Sequence, residues 1–159
     1  MYIDEYIDCL KAQVPLYRRL SAEITKQENA IINKDYAKLN EVLMQKDALL
    51  QELDIIEQKA VQMRAVLTRK YSLMRFNLTE LGGVYSEGRL APLKDVMDEL
   101  KQLMQNMLEH EKHNEEMLVG NMAEIEEGLR RLRVGKKAST TYKSLNATFG
   151  NSAFIDTKQ

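Results

Sequence analysis

The sequence predicts an all-α protein, an elongated antiparallel three-helix coiled-coil bundle with a flexible C-terminal tail. Apolar residues recur at the seven-residue spacing of coiled coils through three segments, about 3–33, 36–81 and 92–134. The 159 residues include only 2 Pro and 7 Gly, too few for a sheet protein with many turns. Only short breaks separate the segments, and helices joined in this way pack as antiparallel neighbours. We therefore expect a helical bundle over residues 1–137 and a tail over residues 138–159.

The first predicted helix carries an apolar stripe whose members alternate between steps of four and three residues. The stripe comprises Ile3, Ile7, Leu10, Val14, Tyr17, Ile24 and Ile31, and Leu20 widens it. Pro15 lacks a backbone N–H, so it predicts either a kink or the end of a short first helix. Lys34-Asp35 marks a break, and Asp35 is a suitable N-cap for a second helix that begins at Tyr36.

The second predicted helix extends to about Leu81, because its apolar seam continues to that point. The seam comprises Val42, Leu49, Leu53, Ile56, Ala60, Met63, Leu67 and Met74. A helix of this length spans on the order of 70 Å, which is wider than a sphere-like domain of this size. The molecule is therefore expected to be a rod.

A turn over residues 82–88 precedes the third predicted helix, in which Pro92 suits the first position. The second and third helices match in length, so they should pair antiparallel, and the shorter first helix covers only part of the pair. We expect the far end of the second helix and the start of the third to lack a covering helix. Alternatively, a partner or a second copy supplies one.

Composition and charge exclude several classes of function. The formal net charge of −1 creates no overall field toward nucleic acid or an anionic membrane. No run of 18 apolar residues is present, so membrane insertion is not expected. Asp4, Glu5 and Asp8 lie where a signal peptide would need basic and then apolar residues, which favours a cytoplasmic protein. The single cysteine, Cys9, allows no internal disulfide and should pack as a small apolar side chain.

The sequence also predicts a protein that is not an enzyme and that takes no cofactor or small-molecule substrate. It contains no Gly-rich phosphate loop after a strand and no arrangement typical of a catalytic triad. His110 and His113 share a helix face, but the zinc-protease pattern needs its second His at position 114, which is Asn. With no third ligand in view, no metal site is expected.

The second half of the third helix is the candidate surface for a partner helix. Five of the nine Met lie on this helix, where they either fill a core or provide an adaptable groove. Asn114 and Asn121 fall near seam positions, where polar residues weaken a closed bundle. The candidate residues for binding this partner helix are Met117, Leu118, Met122, Ile125, Leu129 and Leu132.

The tail is rich in Ser, Thr and Asn, yet it contains large apolar residues that a solubilising tail would lack. These include Tyr142, Phe149, Phe154 and Ile155. The tail is a disordered end, a peptide that folds on binding with aromatic anchors, or a segment that folds back over the apolar stripe of the bundle. Under the second and third alternatives, Phe149, Phe154 and Ile155 belong to the same partner-binding set as the residues of the third helix.

Two stretches of the chain carry a resemblance to a known family. The first is the run Leu20…Glu28…Asp35…Leu39…Lys46…Leu49-Leu50…Leu53, and the second is Tyr142 followed by Phe149-Gly150 and Phe154-Ile155-Asp156-Thr157-Lys158. Together they resemble the helix 1–2 junction and the tail of the FlgN-type flagellar export chaperones.

The resemblance implies a cytoplasmic chaperone for flagellar hook-associated proteins. Such a chaperone binds the C-terminal helical segments of its clients, keeps them unassembled and delivers them to the flagellar type III export gate. In the family, a Tyr just after the last long helix contacts the cytoplasmic domain of the gate, and Tyr142 takes that position here. Two alternatives remain open: a chaperone for flagellin or the filament cap, and a homodimeric coiled-coil adaptor.

Overall fold

A computed structural model of the chain describes residues 2–121, which form four helices. Their bounds are α1 Tyr2–Ile32, α2 Tyr36–Lys70, α3 Leu78–Gly82 and α4 Glu87–Gly120. Within residues 2–121 there is no strand, so the all-α prediction is confirmed. The predicted end of the third helix near residue 134 and the tail over residues 138–159 lie outside the described residues.

The reversal between α1 and α2 takes three residues because both helix ends are capped. Lys34 adopts a left-handed conformation with φ of 53°, and the Asp35 amide donates to the Ala30 carbonyl at 2.9 Å. This is the bonding of a Schellman C-cap, which satisfies carbonyls that the helix leaves unpaired. The Asp35 carboxylate then accepts a 3.1 Å bond from the Lys38 amide, so the predicted N-cap is confirmed.

The expectation that Pro15 ends a short first helix is wrong, because α1 continues from Tyr2 to Ile32. Pro15 lies on the exposed face of α1, between the buried residues Val14 and Leu16. On that face water can reach the carbonyl of Lys11, which lacks its helical donor.

The prediction that the second helix extends to Leu81 is also wrong, because α2 ends at Lys70. Ser72 adopts a left-handed conformation with φ of 52°, and the Leu73 amide donates to the Thr68 carbonyl at 3.0 Å. This second Schellman-type cap stops the helix. Met74, expected on the apolar seam, is 91% exposed.

The last described helix, α4, begins earlier than the third helix of the sequence prediction. Ser86 is its N-cap, and the Ser86 hydroxyl accepts a 3.4 Å bond from the Arg89 amide. Pro92 therefore lies inside α4 and not at its first position. The short helix α3, capped by Asn77, occupies part of the segment in which the sequence predicts the end of the second helix and the turn.

Side-chain pairs give the directions of the long helices. Gln13 of α1 pairs with Glu57 of α2, and Gln27 pairs with Lys46, so residue numbers rise along one helix as they fall along the other. The two helices are therefore antiparallel.

By contrast, α1 and α4 run in the same direction. Asp4 pairs with Arg89, and Arg18 pairs with Glu99 farther along both helices. Most contacts between long helices involve α1, which packs along both α2 and α4. The expected end without a covering helix is thus absent from residues 2–121, because α2 stops early and the first turns of α1 contact Phe76 and the start of α4.

The apolar core is divided into two clusters. The main cluster runs along α1, α2 and the first part of α4, from Ile3 to Ile24 on α1 and from Leu90 to Met107 on α4. A small cluster, here called the terminal cluster, closes the end of the bundle beside the α1–α2 turn. It comprises Ala30, Ile31, Leu39 and Leu118, with Tyr36, Leu43 and Met117 packed against them. Among the described helices none is long and apolar enough to span a bilayer.

Candidate functional site

A layer of polar side chains separates the main cluster from the terminal cluster. We call it the polar layer, and its members are Gln27, Lys46, Glu111 and Asn114. Lys46 is 2% exposed, and its Nζ donates to Gln27 Oε1 and to Glu111 Oε2, each at 2.6 Å. Burial lowers the pKa of Lys46, and the neighbouring Glu111 carboxylate opposes that shift. One ammonium group thus joins all three long helices.

Asn114 and His110 extend the polar contacts of α4 with α1. Asn114 is fully buried, and its Nδ2 donates to the Ile24 carbonyl at 3.2 Å, while its Oδ1 has no protein partner. His110 Nε2 contacts Glu28 Oε2 at the edge of the layer. The predicted seam position of Asn114 is confirmed.

The two halves of α4 are held in place by different kinds of contact. The first half buries a continuous apolar stripe, which comprises Leu90, Leu93, Val96, Met97 and Leu100. In the second half only Met107 and Leu118 are buried apolar residues, and the seam positions between them carry polar side chains. The end of α4 is therefore attached to α1 and α2 mainly by hydrogen bonds, ion pairs and the small terminal cluster.

Two predicted client-binding residues lie in this region. Leu118 is 5% exposed and packs against Ala30, Ile31 and Leu39, and Met117 is half-buried beside it. In this structure both side chains contribute to the interface between α4 and the α1–α2 hairpin. The other candidates, Met122, Ile125, Leu129, Leu132, Tyr142, Phe149, Phe154 and Ile155, lie outside the described residues.

Three apolar side chains at the same end are exposed and were not predicted from the sequence. Ile32, Met44 and Val119 are 58%, 64% and 60% exposed. Each lies next to the apolar stripe of its helix, so the seven-residue pattern gave no reason to select it. Met44 and Val42 line a shallow groove between α1 and α2 whose charged residues are Glu23, Lys26, Lys38 and Glu41.

The polar layer was also missed, although the sequence contains a signal for it. Gln27 falls three residues after Ile24 in the α1 stripe, Lys46 falls four after Val42 in the α2 seam, and Glu111 falls four after Met107. Each therefore occupies a position at which the repeat calls for an apolar residue. Polar residues at equivalent seam positions of three helices predict a buried polar layer.

A second buried polar group lies within the main cluster and carries no catalytic arrangement. Glu57 accepts hydrogen bonds from Gln13 Nε2 at 3.0 Å and from Arg64 Nη2 at 3.2 Å. Both partners belong to the helices that Glu57 joins, so these contacts hold the fold together. Burial raises the pKa of the half-buried Cys9 thiol, which is opposite to the activation that a nucleophilic thiolate needs.

The described histidines do not form a metal site. His110 contacts Glu28, and His113 is exposed. Among residues 2–121 no three His, Cys, Asp or Glu side chains converge closely enough to hold a metal ion.

Comparison with known protein families gives a match over most of the chain. A family model described as FlgN protein matches residues 1–146. The matched range includes the whole described structure, the apolar residues from Met122 to Leu132, and Tyr142, and it ends before Phe149. No curated protein and no solved structure matches the chain.

Proposed function

Because the chain belongs to the FlgN family of flagellar export chaperones, which bind flagellar hook-associated proteins, we propose that it serves hook-associated clients in the cytoplasm. It binds their C-terminal helical segments, keeps them unassembled and delivers them to the export gate. The proposed architecture is an antiparallel three-helix coiled-coil bundle over residues 1–137 with a flexible tail over residues 138–159. The protein acts by binding and not as an enzyme.

The observation that carries this proposal is the composition of the end of α4. There the apolar contacts with the rest of the bundle reduce to Met117 and Leu118, while Val119 remains exposed. The sequence then continues the stripe with Met122, Ile125, Leu129 and Leu132, again in steps of three and four. An apolar stripe in this pattern is suited to bind an amphipathic helix.

The chemistry of the client fits such a surface. An unassembled client exposes amphipathic helices that would otherwise associate with one another. A flexible Met-containing stripe can cover helices of different shapes, because methionine side chains adapt to their partner. The ordering of both partners on binding keeps the affinity moderate, which permits release at the gate.

A calorimetric titration with C-terminal segments of hook-associated proteins tests the proposal. We expect Met117→Glu and Met122→Glu to weaken binding by about tenfold or more, since each places a charge on the apolar stripe. Met74→Glu is the matched control, because Met74 is 91% exposed at the other end of the bundle. Circular dichroism should show unchanged helicity for all three variants. Unchanged isotherms for the Met117 and Met122 variants would contradict the proposed surface.

The proposed gate contact, Tyr142, is tested separately. Tyr142→Ala should preserve client binding and reduce export of hook-associated proteins. Phe149→Ala should instead weaken client binding, since Phe149 is proposed to contact the client. Normal export by the Tyr142 variant would remove that residue from the gate interface.

The two alternative functions give different results in the same assays. Recovery of flagellin or the filament cap from cytosol, without a hook-associated protein, would indicate a chaperone for those clients. A tight dimer in light scattering that no client segment disrupts would indicate a homodimeric adaptor.

A further inference from the structure

The polar layer makes the last turns of α4 separable from the rest of the helix. Between Met107 and Leu118, the buried contacts of α4 are those of Glu111 with Lys46 and of Asn114 with the Ile24 carbonyl. Water can replace much of what such polar contacts contribute, whereas it cannot replace buried apolar contacts. The segment from residue 111 to residue 121 should therefore open more readily than the first half of α4.

Opening of this segment leaves a site with a defined chemistry on the α1–α2 hairpin. The floor is apolar and consists of Ala30, Ile31 and Leu39. Beside it lies Lys46, whose side chain is only 3% exposed and which would keep its bond to the neutral Gln27 and the nearby charge of Asp47 but lose the bonded Glu111 carboxylate. Because Glu111 bonds the ammonium group directly, its departure leaves a buried cation less well compensated, and the vacant site favours an occupant that supplies a carboxylate.

The arrangement within α4 gives the pattern that an occupant must reproduce. Glu111 reaches Lys46, Asn114 reaches the Ile24 carbonyl three residues later, and Leu118 fills the terminal cluster seven residues after Glu111. These spacings place the three side chains on one face of a helix. A client helix with a carboxylate, then a hydrogen-bond donor and then a large apolar residue would fit in the same place.

We propose that residues 111–121 leave the hairpin when a client binds, and that a client helix takes their place with its carboxylate paired to Lys46. This inference rests on the proposed function, since it takes the occupant to be the helical segment of a hook-associated protein. The segment of α4 then competes with the client for the hairpin, and once released its apolar side chain Met117 packs against the other side of the client helix. Release of the segment without a charge on that apolar face should therefore increase the apparent affinity, because a larger fraction of the protein is open before binding.

Glu111→Lys in the full chain tests the competition, with Glu116→Lys as the matched control. Both variants make the same charge change in neighbouring turns, but Glu116 is exposed, whereas Glu111 bonds Lys46. We expect the Glu111 variant to lose amide-exchange protection over residues 114–120 and to bind the hook-associated segment about tenfold more tightly. The Glu116 variant should match the wild type in both measurements. Lost protection without tighter binding would overturn the proposal.

A labelled peptide with the sequence of residues 104–121 tests the carboxylate requirement. Added to the Glu111→Lys chain, this peptide should bind, and the same peptide carrying Glu111→Lys should bind about tenfold more weakly. The hook-associated segment should displace the labelled peptide. Equal binding of both peptides would overturn the proposed pairing with Lys46.

The outcomes separate this inference from the proposed function. If the hook-associated segment binds the wild-type chain but does not displace the labelled peptide, the exchange is wrong and the proposed function stands. If the hook-associated segment binds neither the wild type nor any variant while the labelled peptide binds, the proposed function is wrong. The client helix is then also wrong as the occupant of the site. A stable dimer of the Glu111 variant would show that a second copy is the occupant, which also overturns the proposal.

Discussion

Gln13 on α1 donates a 3.0 Å hydrogen bond to the buried carboxylate of Glu57 on α2, inside the main apolar cluster. The same carboxylate accepts a bond from Arg64, whose side chain is 14% exposed. Removal of Glu57 would therefore leave a largely buried guanidinium without its anion, and this gives the first prediction.

We expect Glu57→Ala to lower the free energy of unfolding by about 3 kcal/mol, because it leaves the Arg64 charge uncompensated. Glu57→Gln should cost less, since its single amide oxygen can still accept from Arg64. Glu52→Ala, at an exposed position of the same helix, should change stability by less than about 0.5 kcal/mol. Urea unfolding of the three variants measures these differences. Equal effects of Glu57→Ala and Glu52→Ala would show that the buried pair does not stabilise the fold.

A second prediction concerns alkaline pH. Burial raises the pKa of Tyr17, and the Glu57 carboxylate raises it further. An unfolded tyrosine loses its proton near pH 10, while the folded Tyr17 keeps it. The contribution of Tyr17 to the free energy of unfolding is therefore complete below pH 10 and is lost as the pH rises above 10.

Each pH unit above 10 should therefore cost the wild type about 1.4 kcal/mol more than it costs Tyr17→Phe. Urea unfolding of both proteins at several pH values between 8 and 11 measures the two slopes. The two stability curves should run parallel up to pH 10 and converge above it. Curves that remain parallel to pH 11 would contradict a raised pKa for Tyr17.

The third prediction compares two aliphatic side chains two residues apart on α2. Leu53 is 2% exposed in the main cluster, and Ile55 is 58% exposed. Leu53→Ala should lower the free energy of unfolding by about 2–5 kcal/mol, because it removes buried apolar contacts and leaves a cavity. Ile55→Ala should change it by less than about 0.5 kcal/mol. Similar losses for both would place the buried face of α2 elsewhere.

The fourth prediction concerns the left-handed residue that ends α2. Ser72 has φ of 52°, a conformation that costs a residue with a Cβ about 1 kcal/mol and costs glycine little. We expect Ser72→Gly to raise the free energy of unfolding by several tenths of a kcal/mol to about 1 kcal/mol. The gain stays below the full relief of strain, because glycine also increases the conformational entropy of the unfolded chain. Ser72→Ala keeps the Cβ and should give no gain. Thermal unfolding of the pair distinguishes the two results.

The helical class and the first reversal could be predicted from the sequence because local chemistry determines them. Asp35 is a strong N-cap residue, and the apolar spacing stops and restarts around it. The end of α2 could not be predicted in the same way. Leu67, Met74 and Leu81 keep the seven-residue spacing, and Ser72 is neither Gly nor Asn, the usual residues in a left-handed cap. Ring contacts of Tyr71 with Tyr85 and of Phe76 with Tyr6 accompany the break, and these depend on tertiary structure.

The candidate site was predictable only in part, for a related reason. The apolar stripe identifies Met117 and Leu118 as residues that need a partner surface. It does not say whether that surface belongs to the same chain, and in this structure the α1–α2 hairpin provides it. The role of Lys46 depends on three helices meeting in register, which no single stripe reveals.

The parallel arrangement of α1 and α4 also has a consequence for the order of folding. The side-chain hydrogen bonds between α1 and α2 join residues 19 and 44 positions apart, whereas those between α1 and α4 join residues 81 to 90 apart. Shorter loops close at a lower entropic cost, so the α1–α2 hairpin should form first and α4 should dock last. During synthesis on the ribosome, the face that α4 later covers is thus the last surface of the bundle to be enclosed.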